Sequence, residues 1–269
     1  MNDTEISAAL EFATGIVEQA GQIALGYFRR PLAIENKLGD GLFDPVTVAD
    51  REIEHFLGSR IRERFPDHGI VGEEHGILEG RSRYSWIIDP IDGTRAFISG
   101  VPAWGILLGL RENERCIAGV VHQPYLEETF CGSAGQGWLL RRGERRVLAC
   151  RREARLADAI LYCTHPGMFG NATDLAAFQR VAERCRLMRY GGDCYSYCLL
   201  ALGHVDLVIE GSLQAYDIQP LIPIIEAGGG VVTGRDGEDA SSGGFVIAAA
   251  NPTLHHQALQ ALRAGRTSS

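Results

Sequence analysis

The spacing of apolar residues predicts two helices near the start of the chain. Apolar side chains recur every three or four positions over residues 5–28 and again over residues 46–65, which is the period of an amphipathic helix. Pro66 ends the second helix, because proline lacks the backbone N–H that a helix needs. The stretch 32–44 between them is polar and contains glycines, so we interpret it as a loop.

Beyond the second helix, short apolar runs alternate with glycine and asparagine. They predict strands at Ser85–Ile88 and near 104–110, 116–122, 127–131 and 137–140. A succession of short strands with turn residues between them is typical of an antiparallel sheet.

After residue 150, strands and helices alternate. The predicted strands are 158–163, 187–190, 205–209, 230–233 and 245–249, and the predicted helices are 172–185, 194–203, 217–227 and 252–264. This order favours a layered α/β arrangement. We therefore divide the chain into an α+β half, residues 1–150, and an α/β half, residues 151–269, which share a wide interface because no linker separates them.

Composition and charge exclude several classes of protein. The 269 residues are 45% hydrophobic and 22% charged, which is the composition of a globular chain. A net charge of −8 argues against nucleic-acid and membrane partners, which favour basic surfaces. The arginine-rich segment 141–155 holds nine charges without interleaved aromatic residues, so we interpret it as a solvated turn.

The start of the chain and its cysteines indicate the compartment. The first residues lack the basic and apolar regions of a signal peptide, and no apolar run reaches the ~18 residues of a membrane span. The seven cysteines include no Cys-x-x-Cys pair. We therefore expect a cytoplasmic protein with seven reduced thiols.

Three acidic clusters carry the candidate chemistry. They are Gly72-Glu73-Glu74, Asp89-Pro90-Ile91-Asp92-Gly93-Thr94 after an apolar strand, and Tyr216-Asp217 at the start of a helix. Taken singly, each cluster is more often a turn or a helix cap than a site. Taken together, they offer the oxygen ligands that Mg²⁺ prefers, and the free amides where Thr94 opens a helix suit a phosphate.

Other phosphate chemistries lack their signatures. Lys37 is the only lysine, so the Gly-Lys-Ser/Thr of a phosphate-binding loop is absent. There is no Gly-x-Gly-x-x-Gly either, which argues against a generic nucleotide-binding α/β domain.

The strings GEE, WIIDPIDGT and YD, the last before a helix ending in EAGGG, resemble the inositol monophosphatase-like superfamily of Mg²⁺-dependent, lithium-sensitive phosphatases. The resemblance extends over residues 5–262. Within the superfamily, TRAFISGVPAWG, GGDCYSY and YDIQPLIPIIEAGG resemble the histidinol-phosphatase branch. The resemblance implies a layered α-β-α-β-α sandwich, a homodimer, and two or three Mg²⁺ ions per site.

The resemblance also implies roles for particular residues. The metal ligands would be Glu73, Asp89, Asp92, Asp217 and the Ile91 carbonyl. Thr94 and Glu73 would orient the attacking water, and Asp50 matches an acidic residue near the metal site. The substrate-binding residues would be Gly93, Thr94, Asp193, Glu210 and Lys37.

The leaving alcohol distinguishes the possible substrates. Histidinol carries an ammonium and an imidazole, whereas inositol carries only hydroxyls, so a histidinol site needs acids at its rim. Asp193 and Glu210 are the candidates, although Asp193 after Gly191-Gly192 also fits a helix cap. We therefore predict hydrolysis of L-histidinol phosphate. An inositol-1-monophosphatase or broad small-molecule phosphatase, a nucleotide bisphosphate phosphatase and a non-catalytic regulatory relative remain alternatives.

Overall fold

Eight helices and fifteen strands form the part of the chain described in the computed structural model, residues 1–31, 34–36 and 45–264. The helices are α1 Asp3–Tyr27, α2 Val48–Arg64, α3 Thr94–Ser99, α4 Ala172–Ala182, α5 Asp193–Ala201, α6 Ala215–Ile218, α7 Leu221–Ala227 and α8 Pro252–Arg263. The strands before residue 150 are β1 Ile34–Asn36, β2 Pro45–Thr47, β3 Gly69–Gly72, β4 Gly76–Leu78, β5 Tyr84–Asp92, β6 Gly105–Glu112, β7 Arg115–Gln123, β8 Glu128–Ser133, β9 Gln136–Arg141 and β10 Glu144–Val147. The later strands are β11 Ile160–Cys163, β12 Leu187–Tyr190, β13 Leu207–Leu213, β14 Val231–Gly234 and β15 Gly244–Ala249.

Two mixed sheets contain most of these strands. The first has the order β10-β9-β8-β7-β6-β5-β3-β4, and only the β3–β5 pair is parallel. The second has the order β12-β11-β13-β15-β14, with β11 parallel to both of its neighbours. β1 and β2 form a separate antiparallel pair.

The helices cover both faces of each sheet and produce five layers. α1 and α2 pack on one face of the first sheet, and α7 packs on the other face and reaches the second sheet beside α5. α4 and α8 lie on the far side of the second sheet. The expected α-β-α-β-α sandwich is therefore confirmed.

Period-2 alternation along β6 explains why the first sheet is buried on both faces. Leu107 belongs to the core shared with α5, α7 and the second sheet, whereas its neighbour Leu108 belongs to the core under α1 and α2. Successive side chains of a strand point to opposite faces, so the apolar residues of this one strand contribute to both cores. The core between the sheets draws residues from before and after residue 150. The division of the chain at that position stays a prediction.

Several predicted elements differ from the structure. The predicted helix 217–227 is divided into α6 and α7, because Pro220 has no N–H with which to continue the helix. The predicted strand 158–163 begins only at Ile160, after a short 3₁₀ turn. The interpretation of 32–44 as loop is wrong for β1. Lys37 and the rest of 37–44 lie outside the described residues.

The interpretation of 141–155 as a turn is wrong for β10. Arg142 and Gly143 have φ of 48° and 80°, the left-handed pair that closes a two-residue hairpin. They return the chain along β9 as an edge strand whose four residues are all exposed.

All seven cysteines are free, as predicted. None of the helices in the described ranges has the length and apolar character that crossing a bilayer requires.

Glycines in the first sheet allow α7 to approach the backbone of β7 and β8. A methyl group at Gly119 would overlap the Pro220 carbonyl oxygen, and one at Gly132 would overlap the Ile224 backbone. We expect Gly119→Ala to lower the free energy of unfolding by about 1–3 kcal/mol, because the helix must move away from the sheet. Urea denaturation measures this effect.

Gly15→Ala is the matched control, since a methyl group at Gly15 in α1 would contact nothing within 4 Å. Replacing a mid-helix glycine by alanine stabilises by about 0.5–1 kcal/mol. Equal effects of the two substitutions would contradict this close packing.

Candidate metal and phosphate site

The end of β5 brings two acids to one face. Residues three apart on a regular strand point to opposite faces, which would separate Asp89 from Asp92. The pairing with β6 shifts between these two residues, because Asp89 lies opposite Leu107 and Asp92 lies opposite Gly105. This one-residue irregularity removes the alternation. The two carboxylates then offer oxygens within 4.8 Å of each other and of Asp217.

Asp217 reaches the same point from α6. It is the third residue of that helix, and its Oδ2 accepts a hydrogen bond from the Gln214 N–H at 2.7 Å. The N-cap residue of α6 is Gln214, so Asp217 contributes to the cap as its third-residue partner and not as the N-cap residue itself; its metal-ligand role stays a prediction. The cap fixes one carboxylate oxygen while the side chain faces Asp89 and Asp92.

Glu73 lies in the turn that joins β3 to β4. Its N–H donates to the Ile88 carbonyl at 3.2 Å, so its backbone is bound to the residue that precedes Asp89. Its carboxyl group is also among the neighbours that raise the pKa of Asp89. The structure thus brings Asp89, Asp92 and Asp217 together with Glu73 beside Asp89, and their role as metal ligands stays a prediction.

The turn after Asp92 requires glycine for two reasons. Gly93 has a φ of 80°, a conformation that side chains rarely adopt, and a methyl group there would lie 3.0 Å from the Asp193 Cβ. Thr94 begins α3, and its hydroxyl donates to the Ile91 carbonyl at 3.0 Å. The Ile91 N–H donates to Asp89 at 3.1 Å. Asp89, Ile91 and Thr94 therefore form one connected turn.

Asp50 has a structural partner that the sequence interpretation did not consider. It lies buried in the first turn of α2, where it accepts hydrogen bonds from the Thr47 N–H at 2.8 Å and the Thr47 hydroxyl at 2.5 Å. Burial raises its pKa to about 6, although the bonds from Thr47 oppose the shift. These contacts make Asp50 a helix cap, and its role near the metal stays a prediction.

A cavity of about 100 Å³ lies beside the acids. Two of the metal-ligand candidates and both of the predicted rim acids line it, together with side chains of the second half. The lining residues are Asp92, Thr164, Met168, Asp193, Cys194, Tyr197, Glu210, Leu213, Asp217 and Leu221.

Hydrogen bonds hold Glu210 and Asp193 at this cavity. Glu210 is buried and accepts from the Thr164 N–H at 2.8 Å and the Tyr197 hydroxyl at 3.0 Å. The Asp193 N–H donates to the Thr164 hydroxyl at 3.0 Å. Neither Thr164 nor Tyr197 is among the site residues that the sequence predicts. Tyr197 is buried, but its hydroxyl orients an acid of the site.

Another hydrogen bond joins the two halves of the site. The Cys194 N–H near the start of α5 donates to the Asp92 carboxylate at 2.7 Å. Asp92 belongs to the first sheet, and α5 packs against β13 of the second. The site therefore lies between the two sheets.

Burial and mutual repulsion make these acids hard to ionise. Burial is the largest cause in each case, and it raises the pKa of Asp92 to about 8 and that of Asp217 to about 7. The pKa of Asp89 rises well above its usual range through burial and through Glu73, Asp92 and Asp217. Burial, with Asp92 and Glu210 as neighbours, raises the pKa of Asp193 to about 8.

This donor set fits a hard divalent cation. Carboxylate oxygens are the ligands that Mg²⁺ accepts, and a bound cation offsets the cost of burying several negative charges. Asp89 and Asp92 from the end of β5 and Asp217 from α6 meet that requirement, with Glu73 beside Asp89.

Comparison with known proteins agrees with this geometry. The sequence model of the inositol monophosphatase family matches residues 5–267. The chain belongs to the inositol monophosphatase family. The chain is accordingly a Mg²⁺-dependent phosphatase of that superfamily, as the resemblance of its sequence strings predicted.

The relatives are named for more than one substrate. The chain is 36% identical to the chloroplastic bifunctional phosphatase IMPL2 of Arabidopsis thaliana, over 97% of this chain and 77% of that protein. It is 30% identical to a histidinol-phosphatase of Chlorobaculum parvum, over 95% and 97% of the two chains. It is 31% identical to an inositol-1-monophosphatase of Caulobacter vibrioides, over 96% and 99%.

Solved structures share the fold. An inositol monophosphatase from Zymomonas mobilis superposes with a TM-score of 0.84 at 34% identity, covering 98% of this chain and all of that one. The inositol monophosphatase of Thermotoga maritima gives a TM-score of 0.81 at 28% identity, covering 95% and 97%.

The raised pKa values predict how pH changes stability. An unfolded aspartate has a pKa of about 3.9, so the metal-free native state binds more protons than the unfolded state up to about pH 8. Its stability therefore falls as pH rises through this window. Because Mg²⁺ binds the ionised carboxylates, we expect it to raise the Tm more at about pH 8 than at about pH 6.

Differential scanning calorimetry of chelator-treated protein, with and without Mg²⁺, measures this difference. KCl at equal ionic strength is the control for salt alone. Equal Tm shifts with Mg²⁺ at both pH values would contradict the raised pKa values, and a shift of the same size with KCl would show that the acids do not bind Mg²⁺ specifically.

Proposed function

We propose that this phosphatase hydrolyses L-histidinol phosphate to L-histidinol and phosphate. The observation that carries the proposal is the position of Asp193 and Glu210. These two acids line the same cavity as Asp92 and Asp217, yet neither belongs to the three-acid group that can hold a metal. A leaving group that carries an ammonium gives such acids a partner.

The proposed ligands are Glu73, Asp89, Asp92, Asp217 and the Ile91 carbonyl. Mg²⁺ bound there would supply charge stabilisation for the phosphate and a lowered pKa for a water molecule. We expect the Gly93 and Thr94 amides to hold phosphate oxygens, since free N–H groups at a helix start favour anions.

Thr94 and Glu73 have complementary roles toward the attacking water. The single hydroxyl proton of Thr94 is donated to Ile91, so toward water its oxygen can act only as an acceptor. A water that donates one proton to Thr94 and the other to Glu73 directs its lone pair away from both. As the water oxygen bonds to phosphorus, Glu73 would take its proton. The bond between phosphorus and the histidinol oxygen breaks, and the leaving alkoxide takes a proton from a water molecule.

Glu210 is prepared to receive a cation without rearranging. Each of its oxygens accepts one hydrogen bond, from Thr164 and from Tyr197, and each retains a lone pair for a substrate donor. Asp193 has a φ of 42° and lies against Gly93, so its backbone is fixed at the phosphate end of the cavity. The two acids would receive the ammonium and the imidazole of histidinol.

An inositol-1-monophosphatase is the second candidate. The relative from Caulobacter vibrioides supports it as strongly in identity as the Chlorobaculum parvum relative supports the first. Inositol hydroxyls could donate to the same acids, although a neutral alcohol gains less from a carboxylate than an ammonium does.

Replacement of Asp92 tests the metal chemistry. We expect Asp92→Asn to lower kcat by several orders of magnitude, because the site loses a charged ligand. The Cys194 N–H keeps an acceptor in the asparagine oxygen, so the Tm should stay near that of the wild type. Phosphate release with saturating Mg²⁺ measures the effect.

Asp206→Asn is the matched control. Asp206 is a buried carboxylate that accepts from the Ile160 N–H at 2.8 Å and pairs with Arg151, and it does not line the cavity. Activity of Asp92→Asn at the level of this control would remove Asp92 from the metal site.

The substrate is tested by comparing L-histidinol phosphate with inositol 1-phosphate, each with and without chelator. We expect a higher kcat/KM for L-histidinol phosphate. Asp193→Asn should then raise KM for this substrate about 10- to 100-fold, because a hydrogen bond to a charged group contributes binding free energy of that size. The same substitution should leave KM for inositol 1-phosphate nearly unchanged.

Asparagine tolerates the positive φ of this position as aspartate does, so the variant changes charge with little change in shape. A preference for inositol 1-phosphate, or an equal effect of Asp193→Asn on both substrates, would favour the second candidate.

A further inference from the structure

Glu54 is a buried acid that the metal and substrate sites do not use. It lies on α2, one turn after Asp50, and its side chain is only 3% exposed. A buried carboxylate is costly unless hydrogen bonds compensate it. Its hydrogen-bond partners therefore indicate what this side chain does.

Those partners all belong to the turn between β3 and β4. Glu54 Oε2 accepts from the Glu74 N–H at 2.8 Å, and Oε1 accepts from the His75 N–H at 2.8 Å. Oε1 also lies 2.9 Å from Nδ1 of the half-exposed His75 ring. Two consecutive backbone amides immediately after Glu73 thus bind one carboxylate.

Gly72 shows how closely this acid fits the turn. A methyl group at Gly72 would overlap Glu54 Oε1, so the first residue of the Gly-Glu-Glu sequence is glycine because the carboxylate occupies that space. On the other side of the turn, the Glu73 N–H donates to the Ile88 carbonyl of β5. The backbone of Glu73 is therefore held from both directions.

We propose that Glu54 is a positioning residue of the metal site, which holds the Glu73 carboxylate in place by binding the two amides that follow it. This inference rests on the proposed metal role of Glu73. Residues that orient a ligand without touching the metal change metal affinity or activity by about 10- to 100-fold when they are replaced.

The character of the acceptor explains why a carboxylate is present. Two parallel N–H groups need two acceptor oxygens, and an ionised carboxylate forms stronger hydrogen bonds than a neutral group does. In Glu54→Gln the side-chain NH₂ would face one of these N–H groups, donor against donor. The turn would lose one bond and part of its fixed geometry, while the size of the side chain stays the same.

The test is titration of the metal-free protein with Mg²⁺ by calorimetry, which needs no substrate. We expect Glu54→Gln to raise the Mg²⁺ Kd about 10- to 100-fold. In turnover assays the half-saturating Mg²⁺ concentration should rise equally, with kcat at saturating Mg²⁺ changing less. Asp206→Asn removes a buried carboxylate with the same kind of amide bond and should leave the Kd within about twofold, since distant sites act independently.

The outcomes separate the positioning role from a general loss of stability. A lowered Tm with an unchanged Kd would overturn the proposal and leave Glu54 as a stabilising residue only. If Glu54→Gln gives no folded protein, Glu54→Asp takes its place. The shorter acid keeps the charge but cannot reach both amides, so an unchanged Mg²⁺ Kd in that variant would equally overturn the proposal.

The metal site itself is tested in the same titrations. Wild-type protein that binds no Mg²⁺ would overturn the metal site and, with it, the role of Glu54. Binding by the wild type that Asp92→Asn removes and Glu54→Gln leaves intact would overturn the role of Glu54 alone.

Discussion

The repulsion among closely spaced, partly buried carboxylates is the constraint on which this structure depends. Asp89, Asp92 and Asp217 present oxygens within 4.8 Å of one another, and burial raises the pKa of each. Grouping these acids does not stabilise the fold, because each ionised carboxylate repels the next. The surrounding fold therefore has to hold the acids in place until a cation compensates them.

The rigid parts of the fold provide that restraint. The irregularity in β5 directs two acids to one side, the start of α6 adds a third, and backbone N–H groups bind individual carboxylate oxygens. A methyl group at Gly119 would overlap the Pro220 carbonyl oxygen in the connection between α6 and α7, so close packing against the first sheet holds that connection in place. Such restraint by the backbone is the usual basis of a preorganised site.

The sequence predicted the features that depend on residues close together along the chain. Helices such as α1 and strands such as β7 follow from periodicity, and the acids of the site follow from short strings in which glycine and proline accompany aspartate. The strands β3 and β10 were missed, since they depend on pairing partners and on turn geometry. The break at Pro220 has a local cause in the sequence, the missing N–H of proline, and the predicted helix 217–227 did not take it into account. Glu54 was not identified because its partners lie some twenty residues away, and no local string records that contact. Tyr197 was not identified either, since its hydroxyl binds Glu210 on another element.

Asp92 and its hydrogen-bond partner, the Cys194 N–H, lie far apart in the sequence. They are therefore synthesised at different times. Asp92 and its neighbours leave the ribosome well before Cys194 and Asp217, so the early part of the chain carries only part of the acid cluster. The repulsion reaches its full value only once α6 brings Asp217 to the acids of the first sheet. The full need for a cation therefore arises only when the two parts of the chain have packed together.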